Sequence, residues 1–460
     1  MNHELIRRRL FRIITITFLG TQSIFSARLI SPSNSNINYY GRIDFSDPEA
    51  PKYCWSGVII EAAFTGSTIG MKIDHSNAYY DIEVDSSLDT LIHVISAGEY
   101  LFDKNLSDGN HVVKIKLRSE DHVTVASFQG LLIADGDEIL DAPPKPARKI
   151  EFIGDSYTAG YGVESPGRDC TSDTNKRFTN AHTAFAGNVT KAFHAQSIIL
   201  GWSGAGMVKN YEATTAKRSS TPFPYYYDRV LEANNEKPWD YTSWIPELVV
   251  ICLGTNDYTY NRNPSSNPAP DDSMYMGDYH KFITRILNNY PEASILCVST
   301  GDATFENNVK KVVSEQHSVY NNSKVYFAPY PSSMENTGCD WHPNVKDNIE
   351  VAAVLVDTIM KKLDWDTTAS SVGKIYTRKK IQPTQQGFQI LNFQNQVMVK
   401  PVNTIPDRQT IHVLSLDGKT ILTKSTDTKG ICTIPKSTLK CDVFAIGNER
   451  IGWKKFINIE

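Results

Sequence analysis

The sequence predicts a chain of three folded units: a β jelly-roll module, a central α/β domain on a parallel sheet, and a small C-terminal β-sandwich. Three observations carry this reading. Short alternating strands come first, apolar strands alternating with helical segments follow, and alternating strands return at the end. A length of 460 residues has room for such a division, at roughly 100 to 200 residues per domain. Apolar residues are 40% and charged residues 21%, enough for a sizeable core and unlike a disordered chain. Lys plus Arg number 47 against 51 for Asp plus Glu, a net charge of -4. That balance lacks the basic excess of a nucleic-acid binder, so no such partner is expected.

Residues 1–26 begin with Arg7, Arg8, Arg9 and Arg12 and continue into a short apolar run from Ile13 to Leu19. The run is too short to span a bilayer, which takes about 20 apolar residues. Small residues follow at Ser23, Ser26 and Ala27, so the segment reads as a cleaved signal peptide of an exported, secreted or cell-surface protein. No other stretch is apolar and long enough to cross a membrane, and none is expected in the mature chain.

From 37 to 141 the runs SGVIIEAAF, TIGMKIDH, YYDIEVD, DTLIHVIS, HVVKIKLR and TVASFQGLLI alternate apolar and polar residues between turns, the pattern of the jelly-roll. The Pro-rich run DAPPKPARK breaks it, because clustered prolines cannot continue a sheet ladder. Residues 142–148 are therefore a linker. From 149 to 363 the strands KIEFIG, QSIILG, ELVVICLG, SILCVST and KVYFAP alternate with helical stretches such as YMGDYHKFITRIL and VKDNIEVAAVLVDTIMKKL. Such alternation calls for a parallel sheet with helices on both faces, whose ligands bind at the carboxyl ends of the strands. A polar linker at 364–384 leads to a last β-sandwich at 385–460, with runs such as TIHVLSLDGKTIL. The loop at 261–272, NRNPSSNPAPDD, is strongly turn-biased.

The loops after the strands hold the chemistry. The first reads Gly154-Asp155-Ser156, and a Ser between a strand and a helix is a nucleophile candidate whose own N–H faces the group it attacks. Alone, the tripeptide is also ordinary turn chemistry. The second strand ends in Gly201-Trp202-Ser203-Gly204 and the third in Gly254-Thr255-Asn256-Asp257. A Gly N–H and an Asn amide can supply converging donors to a tetrahedral oxyanion, so Ser156, Gly204 and Asn256 form the expected oxyanion hole. Before the last long helix lies Cys339-Asp340-Trp341-His342-Pro343-Asn344. His342 is the base candidate for Ser156, and Asp340 the candidate to orient it. Trp341 and Tyr258 are candidate substrate-binding walls, or else packing aromatics.

These four blocks resemble the SGNH (GDSL-type) hydrolases, which implies a flavodoxin-like parallel sheet. The span from about Gly41 to Leu363 is more narrowly similar to carbohydrate esterase family 2, through GDSYTAGYG, SGAGMV, PYYYDRVL, WDYTSWIPELVVICLGTND and GCDWHPN. The resemblance implies metal-independent deacetylation, without a cofactor, of acetylated plant polysaccharides or oligosaccharides such as acetylxylan and acetylglucomannan, with 6-O-acetyl groups favoured. It also implies Ser156 as nucleophile and His342 as base. One position departs from the wider superfamily: the orienting Asp commonly lies three residues before the His, and here that residue is Cys339. The orienting group is then Asp340 or a backbone carbonyl of the same loop.

Rival readings are a lipase or lysophospholipase of the same superfamily, for which no apolar lid is visible, and a non-catalytic polysaccharide-binding protein. The complete Ser156, Gly204, Asn256 and His342 set argues against the second, since binding needs no nucleophile and base. The last β segment is similar to a C-terminal sorting domain of the type IX secretion route, in HVLSLDGKTIL, LKCDVFAI and KKFINIE, which implies secretion machinery as a partner. A carbohydrate-binding or spacer module is the alternative.

Seven cysteines are an odd number for an exported chain. Cys252 and Cys297 lie in apolar strands and read as buried hydrophobes. Cys432 and Cys441 could close a hairpin, and Cys170 and Cys339 lie in loops near the same site and could pair. None has zinc-ligand spacing, and no metal site is expected.

Overall fold

In the computed structural model, residues 27–367 are described apart from 104–105, 122–123, 233–236, 259–267 and 332, and beyond them the strands between 388 and 457. The expected signal peptide, most of the 261–272 loop, most of the 364–384 linker and Cys441 lie outside the described residues.

Ten strands build the N-terminal module: β1 (Ala27–Ile30), β2 (Ile37–Tyr40), β3 (Lys52–Tyr53), β4 (Ile59–Thr65), β5 (Ile69–Asp74), β6 (Ala78–Val84), β7 (Ser87–Val94), β8 (Gly98–Asp103), β9 (Asn110–Leu117) and β10 (Ala126–Ala134). One antiparallel sheet has the order β1-β10-β5-β8, with β3 also on β10; the other runs β2-β4-β9-β6-β7. Alternation places Ile60, Ala62 and Phe64 of β4 in a single core with Met71 and Ile73 of β5 and Phe128 and Leu131 of β10, so the two sheets form a sandwich. Strands β1, β2, β3 and β8 were not legible as strands. The first three are short, and GEYLFD offers the core only Tyr100 and Phe102, neither of them fully buried.

The central sheet is parallel, in the order β12-β11-β13-β14-β15, from β11 (Arg148–Gly154), β12 (Ala195–Gly201), β13 (Leu248–Cys252), β14 (Ser294–Ser299) and β15 (Val325–Pro329). Every residue of β13 is buried, because helices cover both faces. Val249 and Ile251 pack on one side with α5 (Asp272–Asn289) and α6 (Ala303–Ser318), while Leu248 and Val250 pack on the other with α3 (Phe185–Ala192) and α7 (Val345–Leu363). Helix α2 (Ser172–Phe178) buries no side chain, so no apolar period announces it; a Thr171–Thr174 capping box holds its start. Beyond the helices, seven described strands between Phe388 and Ile457 form a three-stranded and a four-stranded antiparallel sheet.

The N-terminal module is fastened to the central domain by a buried ion pair. Arg42 Nη2 lies 3.0 Å from Glu151 Oε1 on β11, with both side chains at 0% exposure. Arg42 also donates to the carbonyls of Tyr227 and Arg229, and Tyr227 donates to the second Glu151 oxygen at 2.9 Å. Removing one partner leaves an uncompensated charge, so Arg42→Met should lower unfolding stability by about 3–5 kcal/mol in urea titration. A loss under about 1 kcal/mol would show that the pair contributes no more than an exposed one.

Candidate active site

Parallel register brings three loops to one level. Gly154 pairs with Gly201 on one side and with Cys252 on the other, so the segments that follow β11, β12 and β13 leave the sheet side by side. Strand order reverses about β11, which makes this edge the switch point where doubly wound sheets hold their ligands.

Ser156 opens the short helix α1 (Ser156–Ala159), whose N-cap is Asp155. The Asp155 side chain accepts from Tyr157 N at 3.0 Å. Burial pushes its carboxyl up to about 7, against the opposing hydrogen bond from Tyr157 N–H. Ser156 Oγ lies 2.8 Å from Nε2 of His342. His342 follows a single 3-10 turn, Cys339–Trp341, and precedes α7, whose start Asn344 and Asp347 close as a capping box. Burial lowers the imidazole pKa below the usual 6.5, opposed by acceptors in the 339–340 backbone.

The orienting group is settled by Nδ1, which lies 2.9 Å from the Cys339 carbonyl. The expectation that Asp340 would orient the imidazole is corrected: Asp340 has φ 49, which swings its carboxylate away to accept from Tyr161 Oη at 2.8 Å. The Tyr161 ring itself lies 4.5 Å from the His342 ring.

Gly204 and Asn256 flank Ser156. Gly204 has φ 82, a conformation that favours glycine, and its carbonyl accepts from Tyr211 N at 2.8 Å. Asn256 is buried on the short helix α4 (Thr255–Tyr258), and its Nδ2 donates to the Ala205 carbonyl at 2.9 Å, tying the amide to the Gly204 loop. The next residue organises that loop further. Asp257, fully buried, accepts from the backbone N–H groups of Met207, Val208 and Lys209 at 2.8, 2.9 and 2.8 Å. Sequence reading placed Asp257 in the motif but gave it no work, since its three partners lie 48 to 50 residues away.

All seven expected site residues, Ser156, Gly204, Asn256, Tyr258, Asp340, Trp341 and His342, line one open cavity of about 790 Å³. That volume suits a sugar-sized ligand. Residues 39–143 match the family described as carbohydrate esterase 2 N-terminal, and residues 152–346 match the GDSL-like lipase/acylhydrolase family. The chain joins a carbohydrate esterase 2 N-terminal domain to a GDSL-like lipase/acylhydrolase domain.

Relatives agree. An acetylxylan esterase / glucomannan deacetylase of Cellvibrio japonicus is 28% identical over 340 residues, covering 72% of this chain and 88% of the relative. The cellulase/esterase CelE of Acetivibrio thermocellus is 30% identical over 341 residues, 72% of this chain and 40% of that larger protein. A solved family two carbohydrate esterase from Clostridium thermocellum, in complex with cellohexaose, is 28% identical with a TM-score of 0.65, covering 72% of this chain and 99% of its own.

The two aromatic residues of the esterase that were expected as walls part company. Trp341 is 56% exposed at the cavity rim, with the Arg168 guanidinium 3.6 Å from its ring centroid. Tyr258 is buried, its ring against Tyr275 and Phe305 and its hydroxyl donating to Asp272 at 3.0 Å, so it is chiefly a packing residue that shows one edge to the cavity. Tyr211, 48% exposed, joins Trp341 at the rim. The N-terminal module supports the cavity wall from behind, where Glu120 accepts from Oγ of the lining residue Ser203. No local signal in the sequence links those two residues, which lie 83 apart.

Proposed function

We propose that this esterase removes O-acetyl groups from plant cell-wall polysaccharides or their oligosaccharides through an acyl-enzyme on Ser156. The 2.8 Å contact between Ser156 Oγ and His342 Nε2 carries the reading. His342 takes the serine proton as Oγ attacks the ester carbonyl, and the Cys339 carbonyl keeps Nδ1 protonated so that Nε2 is the basic nitrogen. The oxyanion collects hydrogen bonds from Ser156 N–H, Gly204 N–H and the Asn256 amide. His342 then returns the proton to the departing sugar oxygen and activates the water that frees acetate. No metal or cofactor enters these steps.

Substrate class rests on the rim and on the relatives. Exposed Trp341 and Tyr211 suit the apolar faces of sugar rings, and the solved relative carries cellohexaose. Acetyl groups on primary hydroxyls, the 6-position of hexoses, are the favoured target. Residues 1–26 support export, and the C-terminal strands would serve a sorting role in that route.

Acetate release from acetylated glucomannan and acetylated xylan tests the reading. Release from either polymer is expected; a protein that cleaves neither polymer nor 4-nitrophenyl acetate overturns it. Asn256→Ala should lower kcat by about 10² to 10³ with KM little changed, as loss of one oxyanion donor does. Unchanged turnover would remove Asn256 from the oxyanion hole.

A further inference from the structure

The Ser156–His342 reading leaves a physical question. A carboxylate orienter attracts the imidazolium by charge and tolerates small displacements. The neutral Cys339 carbonyl acts only through a short, directional hydrogen bond, which weakens steeply as it lengthens or bends. The turn that carries this carbonyl must therefore be held from outside.

Its own bonds, from His342 N to the Cys339 carbonyl at 3.0 Å and from Gly338 N to the His342 carbonyl at 2.9 Å, close the turn around two unfavourable backbone conformations. Asp340 and Trp341 occupy left-handed conformations, φ 49 and 64, which L-residues adopt only where the surroundings impose them. The segment 168–170 lies across the turn as a strap. Asp340 N donates to the Arg168 carbonyl at 2.9 Å, and Arg168 Nε and Nη2 donate to the carbonyls of Asn336 and Glu335 at 2.8 and 2.9 Å. Its guanidinium lies against the Trp341 ring. The strap is closed by a disulfide between Cys170 and Cys339, 169 residues apart in sequence. On the other side Cys339 N donates to the Gly162 carbonyl at 3.2 Å. Gly162 has φ 56, and a Cβ there would sit 2.2 Å from that of Cys339, so the half-cystine is seated directly on the backbone that follows α1.

We propose that the Cys170–Cys339 disulfide is a positioning element of the active site. It clamps the Cys339 carbonyl against His342 Nδ1, taking over the restraint that a carboxylate gives in a Ser-His-Asp triad, and the reduced protein folds but turns over slowly. Among the described residues the bridge joins the half-buried Cys170 to the buried Cys339, while Cys252 and Cys297 lie inside the central sheet, so a reductant acting on the folded protein reaches this disulfide from the Cys170 side. Reduction by a dithiol such as dithiothreitol transfers two electrons and two protons to the S–S bond. It leaves thiols at Cys170 and Cys339 and a cyclic disulfide in the reagent; exchange with oxidised glutathione reverses it.

The test uses the full chain with 4-nitrophenyl acetate and with acetylated glucomannan, before and after dithiothreitol, alongside Cys170→Ser, which keeps the Cys339 carbonyl. Far-UV circular dichroism is followed in parallel. Reduction should lower kcat about 10- to 100-fold, the scale of a misplacement near 1 Å. With 4-nitrophenyl acetate, which has no sugar ring for Trp341 to hold, KM should move by less than about 3-fold. The spectrum should be unchanged, reoxidation should restore turnover, and Cys170→Ser should match the reduced wild type and ignore the reductant. Undiminished kcat in both the reduced protein and Cys170→Ser overturns the proposal, and so does a loss of turnover that tracks unfolding. A protein that cleaves no acetate ester when oxidised overturns the esterase reading and this inference with it, whereas an active protein indifferent to reduction overturns this inference alone.

Discussion

Ser156→Ala should abolish acetate release, with kcat falling by about 10⁴ to 10⁶. The replacement removes the proposed nucleophile at the start of α1, while the proposed oxyanion donors, the N–H of position 156, Gly204 N–H and the Asn256 amide, remain in the same cavity lining. A residual rate above water, of about 10³, should therefore survive from binding and oxyanion stabilisation alone. KM should change little, because the hydroxyl contributes little to ground-state binding. Acetate assays on one acetylated polymer, wild type beside mutant, measure both quantities. Retention of more than about a tenth of wild-type turnover would exclude an acyl-enzyme on Ser156.

His342→Gln should be nearly as damaging, with a loss of about 10⁴ or more in kcat, since without the base the serine proton has no acceptor at 2.8 Å. The same residue sets the pH profile. The base works only when neutral, so activity is present above the imidazole pKa and is lost as pH falls through it. Burial lowers that pKa, hence the acid limb of kcat/KM should have its midpoint below 6.5. An acid limb centred above 6.5 would contradict the buried, carbonyl-oriented imidazole. Asp340 does not orient that imidazole, since its carboxylate accepts from Tyr161, and its charge only offsets part of the lowering that burial causes.

How much of this was legible in the chain follows from what periodicity encodes. Burial is encoded one residue at a time, and so the five parallel strands, their long helices and the alternating strands of the N-terminal module could be read directly. Because the sheet is parallel, their loops were bound to share an edge, and Ser156, Gly204 and Asn256 stand in those loops in the sequence itself. The reading failed where an element buries nothing fully, as in α2, none of whose side chains is in the core.

Partner choice among polar groups is different, since it depends on where distant loops meet. The sequence put Asp340 forward, with an unspecified backbone carbonyl of the same loop as the alternative; two left-handed residues in one turn, under the Arg168 strap, bring the Cys339 carbonyl to the imidazole instead. Seven cysteines offered several pairings, and only the approach of residue 170 to residue 339 selected one. Trp341 and Tyr258 each adjoin a motif, yet one is exposed and the other packed, because α5 and α6 cover Tyr258 whereas Trp341 carries the Arg168 guanidinium over its ring and is otherwise open among the described residues. Sequence alone therefore determined the sheet, the order of its loops and the residues carried there. The tertiary structure decided which acceptor holds the imidazole and which ring meets solvent, because those choices are made by contacts between segments far apart in the chain.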